Sequence, residues 1–237
     1  MTGAVFKDRI ALITGASRGI GRATAKLLAA DGAHVLLLGR HQKTLESVDD
    51  EITAAGGKAT LIPLDLANGA AIDPLGPSLY ERFGRLDIFI GNAAILGGLR
   101  PLNHIPSETW EKVLAVNLTA NWRLIRTLDP LLRMSDAGRV VFVTSSGVAE
   151  QGRPYWAPYS VSKAGLETLA KTYANEAADS AVKVNIVDPG ATATSMRAEA
   201  YPGEDQDKIQ NPEQVAETIV KLCLPSLTET GQIVPVD

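Results

Sequence analysis

The chain has 237 residues, 45% of them hydrophobic and 21% charged, with a formal net charge of −4. This composition supports a packed core and excludes extended disorder. Without clustered Lys and Arg, the acidic balance also excludes a polyanion-binding surface, so no nucleic-acid partner is expected. Residues 1–10 carry Lys7, Asp8 and Arg9 where a signal peptide needs an apolar stretch, and no apolar run is long enough to cross a bilayer. A cytoplasmic protein with no membrane partner is expected. Cys223 is the only cysteine, so no intrachain disulfide can form, and His34, His41 and His104 are scattered; no metal is expected.

Near-continuous apolar runs predict strands over 9–14, 34–38, 59–63, 86–90, 140–144, 182–187 and 232–236. Helical periodicity predicts helices over 20–30, 43–55, 107–134, 157–178 and 212–224. Pro130 is expected to bend or end the third helix, and Asp73-Pro74 and Gly76-Pro77 to keep any helix after the third strand short. Strands buried on both faces and alternating with helices define an α/β fold. The expected architecture is a Rossmann-like, doubly wound parallel sheet of about seven strands, in a single domain over 1–237.

The first strand runs into Thr14-Gly15-Ala16-Ser17-Arg18-Gly19-Ile20-Gly21, followed at once by a helix. A helix N-terminus offers unpaired N–H groups and partial positive charge, and glycines let the backbone approach a pyrophosphate. Gly15, Ser17, Arg18, Gly19, Ile20 and Gly21 are therefore candidate dinucleotide-binding residues. The second strand ends at Gly39-Arg40, with no acid to bind ribose hydroxyls. Arg40, assisted by Arg18, can grip a 2′-phosphate, which favours NADP(H) over NAD(H). Asp65, beside Leu66 after the third strand, can accept from an adenine amino group or simply cap its turn. Asn92 and Ala93 close the fourth strand where backbone passes a cofactor ribose.

Ser146 follows the fifth strand, and Tyr159 and Lys163 stand four residues apart on one face of the next helix. A nearby ammonium and an oxidised nicotinamide both favour the phenolate, so Tyr159 is expected to exchange a proton near neutral pH while Ser146 donates to the same substrate oxygen. Lys163 would lower the tyrosine pKa and hold the nicotinamide ribose.

In this order, Thr14-Gly-x-x-x-Gly19-x-Gly21, Asn92-Ala93, Asn117, Ser146, Tyr159-x-x-x-Lys163 and Pro189-Gly190 resemble the short-chain dehydrogenase/reductase family over essentially the whole chain, and most closely its uncharacterised bacterial oxidoreductases. The thirteen-residue interval to Tyr159 matches the family's serine and selects Ser146 over Ser145. The resemblance implies that Asn117 completes a tetrad through a water relay with Lys163. It also implies that Pro189, Gly190, Thr192 and Thr194 hold the carboxamide, and that 195–210 forms a substrate lid. A homodimer or homotetramer is implied as well, pairing the helices at 107–134 and 157–178. Two departures stand out: Ala93-Ala94 replaces the usual Ala-Gly, and the chain stops soon after its last strand. Leu96, Tyr155, Trp156 and Met196, with Tyr201, are candidates to line the substrate pocket.

These residues together point to an oxidoreductase that interconverts a small ketone or aldehyde with an alcohol. Two readings remain open on the same residues: a 3-oxoacyl thioester reductase and a catalytically idle nucleotide sensor.

Overall fold

A computed structural model describes residues 4–236. Seven strands, β1 (Ile10–Thr14), β2 (His34–Gly39), β3 (Lys58–Pro63), β4 (Ile88–Gly91), β5 (Arg139–Val143), β6 (Lys183–Asp188) and β7 (Ile233–Pro235), pair in parallel in the order β3-β2-β1-β4-β5-β6-β7. The chain reverses its winding between β1 and β4, and the strands' carboxyl ends open there into a crevice.

Side-chain alternation divides the apolar runs between two cores. Leu12, Leu36 and Leu38 face one layer, while Ala11, Ile13, Val35 and Leu37 face the other. The second layer is built on α1 (Gly19–Ala30), α2 (Gln42–Ala54) and α10 (Pro212–Leu222), through residues such as Leu28, Leu45 and Ile219. Two short helices after β3, α3 (Gly69–Ile72) and α4 (Leu75–Phe83), join the first layer through Ile72 and Leu79. It is completed by α5 (Ser107–Leu114), α6 (Ala120–Leu132), α7 (Ser146–Ala149) and α8 (Ala157–Glu176), together with α9 (Ser195–Ala200) over the crevice.

One local expectation is corrected. The predicted helix over 107–134 is not one α-helix: a π turn at Ala115–Thr119, centred on Asn117, separates α5 from α6. Pro130 lies inside α6, which ends only two residues later at Leu132. Pro77 sits in the first turn of the nine-residue α4, where its missing N–H has no intrahelical partner to lose, so the helix forms despite the Gly-Pro pair.

Candidate active site

A cavity of about 420 Å³ runs along the crevice, from Arg40 at one end to Tyr159 and Met196 at the other. Its floor is the turn between β1 and α1. Gly15 and Gly19 have φ of +66° and +55°, which side-chain-bearing residues rarely adopt. A Cβ on Gly21 would strike the Gly15 carbonyl and the Asn92 amide, so Gly21 packs the turn from behind and is not part of the cavity wall. No side chain caps α1, and its first turn holds no acid, which leaves its N–H groups directed at the cavity. Such a cradle fits a pyrophosphate.

Thr14, which sequence reasoning used only as part of a motif, fixes this cradle to the sheet. Its hydroxyl donates to the Ile90 carbonyl at 3.2 Å and accepts from the Asn92 and Ala93 amides at 3.0 Å each. The Asn92 side chain in turn donates to the Thr14 carbonyl at 2.8 Å. Ser17, Arg18, Ile20, Arg40, Leu66 and Ala93 line the cavity, as do His41 and Lys112, which sequence reasoning missed. Lys112 looked like an ordinary solvated helix lysine, and only the packing of α5 over the crevice brings it in. Asp65 also lines the cavity, but one of its oxygens accepts from the Ala67 amide at 3.0 Å, as a turn cap does.

At the opposite end, Tyr159 and Lys163 project from α8 into the cavity, both buried. The two adjacent serines diverge. Ser145 lines the cavity with Tyr159 and its hydroxyl favours the ionised phenol, whereas Ser146 does not line the cavity and its hydroxyl donates to Glu167 at 3.1 Å. Ser145 keeps non-helical backbone as the residue before α7, and the helical turn beginning at Ser146 carries the next side chain away. The serine that lines the cavity stands fourteen residues before Tyr159, and the one expected from the spacing stands thirteen before it.

The electrostatics differ from expectation as well. Burial pushes the Tyr159 phenol up to about 12, opposed by the Ser145 hydroxyl and reinforced by Asp188. Burial also lowers Lys163 to about 8, opposed by the charge of Glu167. Lys163 Nζ donates to the Val143 carbonyl at 2.7 Å and lies 5.6 Å from the centroid of the tyrosine ring. In the cofactor-free protein the phenol is thus a held proton, not a base near neutrality, because desolvation outweighs the Ser145 hydroxyl.

Asn117 is fully buried but does not line the cavity. Its side chain accepts from the Ile95 amide at 2.9 Å and donates to the Ile95 carbonyl and the Ser162 hydroxyl at 3.0 Å each, pinning the segment after β4 to α8. Pro189, Gly190, Thr192 and Thr194 lie along the wall. The Thr192 hydroxyl donates to the Pro189 carbonyl at 2.8 Å, and Thr194 caps α9 by accepting from the Arg197 amide at 3.2 Å.

Of the substrate candidates, Trp156 and Met196 line the cavity, and Leu96 is buried in the apolar cluster with Val148 and Tyr159. Tyr155 faces solvent, with a φ of +75°, and is corrected out of the pocket. Tyr201 stands behind Trp156, ring centroids 5.8 Å apart, and its hydroxyl accepts from Arg153 at 2.6 Å. Among the described residues, no group of three His, Cys, Asp or Glu could hold a metal, and no helix is long and apolar enough to cross a membrane.

A parallel sheet with a glycine cradle at its switch point, and a Tyr-Lys pair facing it, defines a class of nicotinamide-dependent oxidoreductases. Residues 9–205 match the short chain dehydrogenase family, and the chain belongs to it. The uncharacterised oxidoreductase YciK of Escherichia coli K12 is 37% identical over 214 residues, which span 89% of this chain and 84% of that protein. A 3-oxoacyl-[acyl-carrier-protein] reductase of Synechocystis is 37% identical over 189 residues, 79% of this chain and 76% of its own. A short chain dehydrogenase of Escherichia coli CFT073, solved in complex with NADPH, superposes with a TM-score of 0.94 at 35% identity and covers all of both chains.

Proposed function

We propose that the chain is an NADP(H)-dependent reductase of small apolar ketones or aldehydes, working in reverse as a secondary-alcohol dehydrogenase. The observation that carries this reading is the pairing of the Tyr159 phenol and the Ser145 hydroxyl on one cavity wall, opposite the uncapped α1 cradle. When bound, the nicotinamide supplies hydride to the carbonyl carbon. Tyr159 gives its proton to the carbonyl oxygen as charge develops there, and Ser145 donates a hydrogen bond to the same oxygen. Lys163 holds the ribose and returns positive charge to the phenolate left behind. Asn117 acts on this site through the backbone it positions. The segment 195–210 closes over substrate as a lid, with Trp156, Met196 and Leu96 giving the pocket its apolar character.

Preference for NADP(H) is supported by Gly39-Arg40 at the end of β2, with Arg18 across the cavity mouth and no carboxylate at the strand end. The 37% identical 3-oxoacyl reductase supports a second reading, in which the carbonyl belongs to an acyl thioester. Self-association through α6 and α8 is part of the proposal, supported by exposed Trp122 and Val161 on those helices.

The test is titration with NADPH and NADH, followed by a panel of ketones, aldehydes and acyl thioesters scored by NADPH oxidation. Tighter NADPH binding with turnover of an apolar ketone is the expected result. Turnover confined to thioesters would establish the second reading, and binding without any turnover would leave a nucleotide sensor.

A further inference from the structure

The inner face of α8 carries a buried acid outside the machinery described so far. Glu167 is only 7% exposed, on the inner face of α8, where an unpaired carboxylate would be costly. It is not unpaired: the same oxygen accepts from the Thr144 hydroxyl at 2.5 Å and the Ser146 hydroxyl at 3.1 Å. Lys163, one turn earlier on the same face, donates to the Val143 carbonyl at 2.7 Å. Two successive turns of α8 therefore grip residues 143, 144 and 146 as the chain leaves β5; residues 143, 144 and 145 all line the cavity, and of the three hydroxyls in this run the one that Glu167 does not take up is that of Ser145.

We propose that Glu167 is a positioning residue of this site: its buried carboxylate anchors Thr144 and Ser146 so that Ser145 is aimed at the substrate oxygen, and it sets the charge one helical turn from Lys163. The inference rests on the proposed roles of Ser145, Tyr159 and Lys163. The tyrosine, lysine and acid form a continuous stripe at positions 159, 163 and 167, each separated from the next by one turn. The charged and titratable groups acting on this stripe are its own members and Asp188 at the end of β6; the π turn and the end of β5 contribute amides, carbonyls and hydroxyls. Because the Glu167 charge raises Lys163 against the pull of burial, its removal lets the ammonium lose its proton earlier as pH rises.

The experiment follows Lys163 in the cofactor-free protein by NMR of carbon-labelled lysine, and kcat and KM in NADPH-driven reduction across pH, for wild type, Glu167→Gln, Thr144→Val and Tyr159→Phe. In Glu167→Gln, the Lys163 titration and the alkaline limb of kcat are expected to move down by roughly one pH unit. Its kcat should also fall about tenfold, with KM for NADPH little changed. Thr144→Val cuts an anchor and keeps the charge, so kcat should fall severalfold while Lys163 titrates as in wild type. An unmoved Lys163 titration in Glu167→Gln, or a wild-type kcat in Thr144→Val, overturns the inference; the second readout stands even if Glu167→Gln does not fold. An active Tyr159→Phe overturns the underlying catalytic reading instead, and leaves the NMR result to judge the Glu167–Lys163 coupling.

Discussion

At the scale of single residues, the two adjacent serines carry different expectations. Ser145 faces the phenol and would donate to oxygen charge that exists only as reduction proceeds, so Ser145→Ala should lower kcat by about 100-fold or more, with NADPH affinity intact. Ser146→Ala removes one of two donors to Glu167 and should cost only a few-fold. Steady-state kinetics on the pair decides the matter, and the reverse ranking would restore the spacing argument. Tyr159 and Lys163 set the pH dependence. Burial holds the phenol near 12 and the ammonium near 8, so the reduction rate should be flat below pH 8 and fall above it as Lys163 loses its proton. A rate that climbs through pH 8 would mean that a base, not the held phenolic proton, limits reduction. At the far end of the cavity, Arg40→Ala should weaken NADPH far more than NADH, measured by fluorescence titration; equal losses would place the arginine away from a 2′-phosphate.

At the scale of elements, the π turn and the segment after β6 shape the site without touching the reacting atoms. Asn117→Ala would leave both backbone groups of Ile95 without their partner, a loss of about 1–3 kcal/mol. A lower urea midpoint together with a lower kcat is expected, since the strand–helix junction that flanks the cavity would loosen. Most elements were legible in the amino-acid sequence because burial on both sheet faces leaves long apolar runs, and helices in this fold carry a one-sided stripe. The π turn was not, because Val116-Asn117-Leu118 has ordinary helical periodicity, and the extra residue per turn follows from what Asn117 finds across the cavity wall. The site was legible down to its residue types but not to the choice of serine: Ser145-Ser146 reads identically in one dimension, and only the onset of α7 decides which hydroxyl turns inward. Glu167 was legible in principle, as a third polar residue on the face of Tyr159 and Lys163.

At the scale of the molecule, Arg139 ties the last part of the chain to the sheet. Its guanidinium, 3% exposed as a residue, donates to the carbonyls of Gly138, Ala181, Leu224, Pro225 and Leu227, so the turn leading from α10 toward β7 is held by one side chain. Arg139→Ala would strand these carbonyls and should destabilise the protein by about 3 kcal/mol or more. The same change should expose the buried Cys223 thiol, which burial otherwise holds well above its usual range. Its labelling rate by a thiol reagent gives a direct reading, and an unchanged rate would show that the C-terminal segment is held in place without Arg139.

The segment from Ala193 to Ile209 leaves and rejoins the molecule at one point, where Thr192 and Gln210 pair as a parallel bridge and the Ala193 amide donates to the Gln210 carbonyl at 2.8 Å. Inside that clasp, the Arg197–Glu204 ion pair and the Arg197 guanidinium, 3.8 Å from the Tyr201 ring centroid, are local to the segment. Because the two ends are already held together, exchanging what lies between them changes little of the chain entropy needed to close the loop. The segment is therefore a cassette. Sequences of different length and polarity grafted between Thr194 and Gln210 would present new walls to an unaltered Tyr159, and the reacting groups behind it would not need to be rebuilt for each new substrate.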